Sequence, residues 1–163
     1  MAERVSTGIQ GLDVILKGGL VKGTSLLIKG GPGTGKTLFG LHFLAEGVKK
    51  GEKSVYISFD ESINEIKRQG RDFNFPVDKI EFVDKFSTFS LLTSDPILWS
   101  SDSISEIFDF IDSIDVVAEN ADRVFIDGVG VLSDVVKEMP LYRRILSTIL
   151  QRLSSKNVTT MLS

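Results

Sequence analysis

The residue types best suited to chemistry lie in one short glycine-rich segment of the chain. Residues 30–37 read Gly-Gly-Pro-Gly-Thr-Gly-Lys-Thr, which fits the pattern G-x-x-x-x-G-K-T. Glycine lets successive backbone N–H groups turn inward around an anion, and the ammonium of Lys36 can reach the outer phosphates. The hydroxyl of Thr37 is placed to bind Mg²⁺. The segment therefore predicts a binding site for the phosphates of a nucleoside triphosphate.

The predicted contacts with the nucleotide extend over this loop and one residue beyond it. They are Gly31, Pro32, Gly33, Thr34, Gly35, Lys36, Thr37 and Leu38. An apolar run of strand character at 24–29 precedes the loop, and apolar side chains follow it at helical spacing over 38–48. A strand, a glycine loop and a helix N-terminus together form an arrangement that binds anions.

Three carboxylates at the ends of predicted strands complete the candidate site. Asp127 ends the apolar run 123–127, where it can hold Mg²⁺ through a water while the strand fixes its position. Asp60 and Glu61 follow the run 54–59 and can orient and polarise an attacking water. The alternative for this pair is an ordinary acidic turn, because acidic groups favour the N-terminus of a helix such as the one that Ser62 is expected to cap.

The elements that must position these residues alternate between strands and helices. Strands are predicted at 24–29, 54–59, 79–84, 123–127 and 158–162. Helices are predicted at 35–49, 63–71, 103–118 and 140–153, and the Ser- and Thr-rich segment 85–102, which holds Trp99, is expected to be a loop. This alternation predicts an α/β fold with a parallel sheet covered by helices on both faces. In such a sheet, ligands bind at the carboxyl ends of the strands.

Composition and charge argue against several classes of protein. The chain has 163 residues, of which 42% are hydrophobic and 25% charged, enough for one domain with a sizeable core. It has no cysteine, which excludes disulfides and thiolate-ligated zinc. Residues 1–5 lack the apolar stretch of a signal peptide and no apolar run could span a bilayer, so we expect a cytoplasmic protein without a membrane partner. A net charge of −3 argues against nucleic acid as a partner.

Segments along nearly the whole chain are similar to one known family. They are residues 6–13 (STGIQGLD), 18–20 (GGL), 30–39, 41–44 (LHFL), 58–62 (SFDES), 123–127 (RVFID) and 158–161 (VTTM). These segments resemble the KaiC branch of the RecA superfamily of P-loop ATPases. The resemblance is most specific over residues 5–62 and weakest over 85–120, where it rests mainly on the pattern of apolar residues.

The resemblance implies a single RecA-like domain over residues 1–163 with a P-loop NTPase fold. It implies a sheet of about five strands in the order 3-2-4-5-1, numbered along the chain. It also implies ATP and Mg²⁺ as cofactors and ATP or ADP as the ligand. If the full core of the family is present, it implies a homo-oligomeric ring such as a hexamer, with ATP between neighbours. By position, Lys36 and Thr37 match residues that bind phosphate and Mg²⁺, Asp127 matches a residue that supports Mg²⁺, and Asp60 with Glu61 match an acidic pair that prepares water.

Two departures from the family bear on the expected rate of hydrolysis. The family pair is usually Glu-Glu, and Asp60 is shorter by one methylene, so which carboxylate reaches the water stays open. A misplacement of about 1 Å can cost about 100-fold in rate. The family core also continues beyond the fifth strand into a basic segment that supplies Lys or Arg to a neighbour's ATP, a group worth roughly 10³ to 10⁵ in rate in other phosphotransferases. We therefore expect a chain truncated at its C-terminus relative to the family, with slow hydrolysis and with the strand at 24–29 as an open edge.

Three functions are compatible with these residues. The first is a slow Mg²⁺-dependent ATPase with a signalling or regulatory role. The second is a nucleotide-binding scaffold without turnover, which the short Asp60 and the expected truncation favour. The third is a RecA- or RadA-type recombination ATPase acting on DNA, which the shared core allows and the acidic charge balance opposes. Nothing in the loop reads the base, so ATP rather than GTP follows from the resemblance alone.

Overall fold

A computed structural model describes residues 2–94, 101–136 and 138–163 of the chain. Its strands are β1 (Arg4–Val5), β2 (Leu20–Val21), β3 (Ser25–Leu27), β4 (Ser54–Ser58), β5 (Glu81–Asp84), β6 (Arg123–Asp127) and β7 (Thr159–Leu162). Five of them form a parallel sheet in the order β3-β7-β6-β4-β5, and β1 pairs with β2 in a separate antiparallel ribbon. Numbered 1 to 5 along the chain, these five strands are β3, β4, β5, β6 and β7. Read from β5, their order in the sheet is then the predicted 3-2-4-5-1. The predicted α/β fold with a RecA-like sheet is therefore confirmed.

The helices lie on both faces of this sheet. They are α1 (Gln10–Ile15), α2 (Lys36–Lys49), α3 (Ile63–Asp72), α4 (Phe86–Ser94), α5 (Ser101–Asn120), α6 (Gly130–Val136) and α7 (Met139–Ser155), with a 3₁₀ turn at Val77–Lys79. Two of these helices, α3 and α7, begin at or within one residue of the helix starts predicted from the sequence. The hydroxyl of Ser62 accepts a hydrogen bond from the backbone N–H of Glu65 at 3.4 Å and caps α3, and Pro140 lies in the first turn of α7.

Alternate side chains of β4, β5, β6 and β7 contribute to two separate cores, one on each face of the sheet. On one face, Val55 and Ile57 of β4 and Ile126 of β6 pack against apolar side chains of α5, α6 and α7. On the other face, Tyr56 and Phe125 pack against apolar side chains of α2 and α3. Successive residues of a strand point to opposite faces, so β4 and β6 are buried on both sides, as parallel strands usually are.

Two segments differ from the predictions. The segment 85–102, predicted to be a loop, contains α4, and α5 begins at Ser101 rather than at Ser103. The carboxylate of Asp84 accepts hydrogen bonds from the backbone N–H (3.1 Å) and the hydroxyl (2.8 Å) of Ser87, and Phe89 packs edge-on against Phe59. A cap and one buried aromatic side chain thus stabilise a helix of weak propensity. The short helix α6, where no helix was predicted, begins at Gly130, shortly after Asp127. Trp99 lies outside the described residues.

The strand that leads into the glycine loop lies at one end of the sheet. β3 pairs with β7 in a register that places Leu27 opposite Leu162, and 59% of Leu27 is exposed. Among the described residues β3 pairs with β7 alone, so it lies at an edge of this sheet. In the described ranges, none of the helices combines the length and the apolar character needed to cross a bilayer.

Candidate functional site

The glycine loop connects the end of β3 to the start of α2. Gly33 (φ +75°) and Gly35 (φ +86°) adopt left-handed backbone conformations that other residues rarely adopt, so these two positions favour glycine. The hydroxyl of Thr34 and the ammonium of Lys36 both donate hydrogen bonds to the carbonyl oxygen of Gly31, at 2.8 Å and 3.1 Å. These two contacts hold the loop in a closed turn with the lysine ammonium beside its backbone.

The loop forms one wall of a cleft of about 330 Å³. Its lining residues are Gly33, Thr34, Gly35, Lys36, Thr37, Leu38, Glu61 and Gln69. The first six belong to the set predicted to contact nucleotide, and Gly31 and Pro32 complete the exposed loop beside them. The size lies at the lower end of the range found for ligand pockets. The structure thus brings one member of the acidic pair, Glu61, to the same cleft as Lys36.

Close packing of α2 on the sheet brings Thr37 to Asp127. Gly40 lies against the ring of Phe125 in β6, where an added Cβ would stand 2.2 Å from a ring carbon. Because the helix approaches so closely, its first turn reaches the end of β6. The hydroxyl of Thr37 there donates a hydrogen bond to Oδ2 of Asp127 at 3.0 Å.

Asp127 is only 4% exposed, and two further hydroxyl groups donate to its carboxylate. Tyr56, from the neighbouring strand β4, donates to Oδ2, and Ser163, directly after β7, donates to Oδ1. Burial raises the pKa of the Tyr56 hydroxyl well above its ordinary value near 10, and the charge of Asp127 raises it further. The phenol therefore keeps its proton and remains a donor at neutral pH. Sequence reasoning singled out neither Tyr56 nor Ser163.

The donors around this carboxylate fit a magnesium ion. The hydroxyl of Thr37 and the carboxylate of Asp127 are hard oxygen ligands, which Mg²⁺ prefers. Mg²⁺ is usually held by one or two protein groups together with substrate phosphates and water. In the described part of the chain, no group of three or more Asp, Glu, His or Cys side chains is suited to hold a metal. Thr37 and Asp127 supply two oxygen ligands, which is the usual protein share in the coordination of a nucleotide-bound Mg²⁺.

The two members of the acidic pair have different surroundings. Glu61 lines the cleft, and its Oε1 accepts a hydrogen bond from Nε2 of Gln69 at 2.6 Å. Asp60 packs against Gly128, which directly follows Asp127 and has a φ of +82°. A Cβ at position 128 would lie 2.3 Å from Cγ of Asp60, so the absence of a side chain there makes room for the carboxyl group.

Both carboxyl groups hold a proton more readily than usual. Burial raises the pKa of Asp60, the charge of Asp127 raises it further, and Lys36 offsets part of the effect. Burial is also the largest cause that raises the pKa of Glu61, followed by the charge of Glu65. Perturbed carboxyl groups beside a cleft are characteristic of sites that bind or transform ligands.

The segment 6–13 has a structural role that its sequence did not reveal. The backbone N–H and the hydroxyl of Thr7 both donate to Oδ1 of Asp13 at 2.7 Å, and the hydroxyl of Ser6 donates to Oδ2 at 2.7 Å. The fully buried Arg123 forms an ion pair with Glu52 and donates to the carbonyl of Ser6 at 2.6 Å. These contacts fasten the N-terminal segment to the start of β6.

A known family and two curated proteins match the sequence of this chain. A family model described as "ATPase: KaiC" matches residues 5–163. The chain is 33% identical over 168 aligned positions to the circadian clock oscillator protein KaiC of Prochlorococcus marinus, covering 99% of this chain and 33% of that protein. It is 40% identical over 93 residues to a UPF0273 protein of Thermotoga maritima, covering 57% of this chain and 38% of that protein.

A solved structure shows the same fold. The crystal structure of the KaiC-like protein PH0186 from the hyperthermophilic archaeon Pyrococcus horikoshii OT3 superimposes with a TM-score of 0.79 at 27% identity. The match covers 99% of this chain and 70% of that chain. The chain thus spans 33% and 38% of the two curated relatives named above.

Proposed function

Because this chain belongs to the KaiC family of ATPases, we propose that it binds ATP and hydrolyses it slowly in the presence of Mg²⁺. Membership of this family implies nucleotide binding. The observation that carries the rest of the proposal is the 3.0 Å hydrogen bond between Thr37 and Asp127. It joins the hydroxyl that follows the loop lysine to a carboxylate at the end of a central strand, and these are the two protein groups that a nucleotide-bound Mg²⁺ uses.

In the proposed reaction, each residue of the site has one task. The backbone of residues 31–38 and the ammonium of Lys36 bind the phosphates, while Thr37 and Asp127 hold the ion. The ion, when bound, neutralises charge that develops on the phosphate oxygens. Glu61, which lines the cleft, accepts a hydrogen bond from the attacking water and orients it.

The geometry of the acidic pair supports a low rate. The side chain of Asp60 packs against Gly128, and Glu61 is the member of the pair that lines the cleft. Only one carboxylate of the pair is thus placed to orient water. We further propose that residues 1–163 are one nucleotide-binding domain, that the protein acts in the cytoplasm, and that it forms a homo-oligomeric ring. A regulatory or signalling role is proposed because one relative is a circadian clock oscillator protein.

A nucleotide-binding scaffold without turnover is the second candidate. It is favoured by the three hydroxyl groups that donate to Asp127 without any nucleotide, from Thr37, Tyr56 and Ser163. A carboxylate held this firmly can support a bound nucleotide whether or not a water is activated nearby. The two candidates differ in a single observable, the release of phosphate.

The decisive experiment measures phosphate release from Mg²⁺-ATP by the wild-type protein and by Lys36→Ala. The matched control is Lys29→Ala, which removes an exposed lysine just before the loop. We expect slow release by the wild type and by the control, and none by Lys36→Ala. Equal, nonzero rates for the wild type and Lys36→Ala would contradict the ATPase proposal. Tight ATP binding without phosphate release at any protein concentration would select the scaffold, and competition with GTP would report the base preference.

A further inference from the structure

An amide side chain that the proposed function does not use lies in the cleft beside the loop. Gln69 lines this cleft together with Glu61, and its Nε2 donates a hydrogen bond of 2.6 Å to Oε1 of that carboxylate. A carboxylate only accepts hydrogen bonds, so the NH₂ end of the amide must face Glu61. The contact therefore has a defined direction.

The start of α3 explains why these two residues meet. Ser62 caps the helix directly after the acidic pair, and position 69 lies about two helical turns further along. Positions 62, 66 and 69 share one face of the helix, and side chains on a helix lean toward its N-terminus. Gln69 is thereby aimed back at the carboxylate that precedes the helix.

We propose that Gln69 is a positioning residue that holds the carboxylate of Glu61 in the orientation needed to direct water at the bound nucleotide. This inference rests on the proposed role of Glu61 in hydrolysis. A free glutamate side chain loses rotamer freedom when it is fixed, and this loss opposes an ordered geometry. The hydrogen bond from Gln69 fixes it before the nucleotide binds. Within the described residues Oε2 has no protein hydrogen-bond partner, so it can accept one from water.

The charges around Glu61 explain why an amide suits this position. The groups that face it are Glu65 and Arg68 on α3, Asp127 at the end of β6, Tyr56 on β4 and Lys36 of the loop. Burial raises the pKa of Glu61, Glu65 and Asp127 raise it further, and the hydrogen bond from Gln69 lowers it. Gln69 also lowers the pKa of Glu65 by hydrogen bonding. A neutral donor between two carboxylates thus favours their charged forms without adding a charge to the cleft.

The test replaces the donor while keeping the size of the side chain. Gln69→Met removes the N–H donor, Gln69→Glu is isosteric and turns the donor into an acceptor, and Gln151→Met makes the first change at an exposed position of α7 as a control. We expect kcat for phosphate release to fall about 10- to 100-fold in both Gln69 variants, the cost of a misplacement near 1 Å. The KM for Mg²⁺-ATP and the affinity for a fluorescent ATP analogue should change less than about 2-fold, because the phosphate contacts stay intact.

A double-mutant cycle separates positioning from a general structural effect. If Gln69 acts through Glu61, then Gln69→Met should change the residual single-turnover rate of Glu61→Gln by less than about 2-fold. Full activity of both Gln69 variants, or equal losses with and without Glu61, would overturn the inference while leaving the proposed function intact. A wild-type protein that binds ATP but releases no phosphate would overturn the proposed function, and the positioning role with it.

Discussion

The hydroxyl of Thr37 donates a 3.0 Å hydrogen bond to Asp127, which lies 90 positions further along the chain. Tyr56 and Ser163 donate to the same carboxylate, so one side chain links α2, β4, β6 and the residue after β7. Long-range contacts of this kind set the relative positions of the loop and the sheet. The site is therefore sensitive to substitutions that touch neither the loop nor a ligand.

Replacing Asp127 by Asn should lower both stability and the response to Mg²⁺. An amide has one acceptor oxygen, so it cannot accept from three hydroxyl groups as the carboxylate does. We expect the free energy of unfolding without nucleotide to fall by about 1–3 kcal/mol in urea titrations. The stimulation of ATP binding by Mg²⁺ should also decrease. The exposed Asp109→Asn serves as the control, and an unchanged urea midpoint for Asp127→Asn would contradict the hydrogen-bond network.

Replacing Tyr56 by Phe should remove one buried donor while leaving the ring in place. The ring packs between Phe82 and Phe125, with centroid distances of 5.4 Å and 5.1 Å, and these contacts remain available to phenylalanine. We expect a loss of about 1.5–3 kcal/mol in the free energy of unfolding, typical of a hydrogen bond to a charged group. Tyr142→Phe, at the other tyrosine of the chain, should change it by less than about 0.5 kcal/mol. Equal effects of the two changes would show that the Asp127 contact contributes nothing.

Tyr56 also predicts a pH dependence on the alkaline side. Its pKa in the folded state lies well above 10, whereas in the unfolded chain it titrates near the ordinary value. Above about pH 10 the unfolded state therefore loses a proton that the folded state keeps, and stability falls as pH rises toward the folded pKa. The expected slope from this residue is at most about 1.4 kcal/mol per pH unit. Urea titrations between about pH 9 and pH 11 should show a steeper loss in the wild type than in Tyr56→Phe, and parallel curves would contradict the raised pKa.

Replacing Gly40 by Ala should push α2 away from the sheet. The added Cβ would meet the ring of Phe125 at 2.2 Å, and overpacking of this kind costs about 1–3 kcal/mol, only partly offset by about 1 kcal/mol of helix propensity. We expect lower thermal stability and weaker ATP binding, because the same helix carries Thr37. Gly11→Ala on α1 is the matched control, since its Cβ would have open space, and it should be neutral or stabilising by up to about 1 kcal/mol. The idea fails if Gly40→Ala is as stable as Gly11→Ala.

Replacing Arg123 by Met should release the N-terminal segment from the core. The change leaves the Glu52 carboxylate and the carbonyls of Ser6 and Phe43 without their cationic partner. The Glu52 side chain is 29% exposed and can be solvated, but the two carbonyls lose their donor, so we expect the free energy of unfolding to fall by about 1–3 kcal/mol. Limited proteolysis should cut earlier within residues 1–22 than in the wild type. Arg143→Met, at an exposed arginine of α7, should leave both measurements unchanged.

The sheet and the placement of the loop could be predicted because several independent signals agree. The glycine pattern identifies the loop, the family resemblance supplies the strand order, and the rule for parallel sheets places Asp127 and Glu61 at the same edge as Lys36. The first signal is a local pattern, the second is a resemblance to a known family, and the third is a general topological rule. The separation of Asp60 from Glu61 could not be predicted, because it depends on the absence of a side chain at Gly128, which directly follows β6.

The residues that were missed owe their roles to tertiary contacts. Tyr56 sits in a buried strand and looks like an ordinary apolar residue until the partner of its hydroxyl is known. Gln69 lies on a helix with a strongly polar face, where most polar side chains are simply solvated. The helix α4 was missed because the Ser and Thr content of its segment outweighed its apolar residues, among them Phe89, whose burial only the folded chain reveals.

The two cores on opposite faces of the sheet give the molecule an unequal freedom to change. The helices that carry the loop and Gln69 share one core, whereas α5, α6 and α7 pack into the other. Substitutions in α5, α6 and α7 can change the surface on that face of the sheet, because these helices do not line the cleft beside the loop. Selection for new contacts on that side need not disturb the phosphate-binding side, so a lineage of such proteins can diversify its associations while inheriting one chemistry.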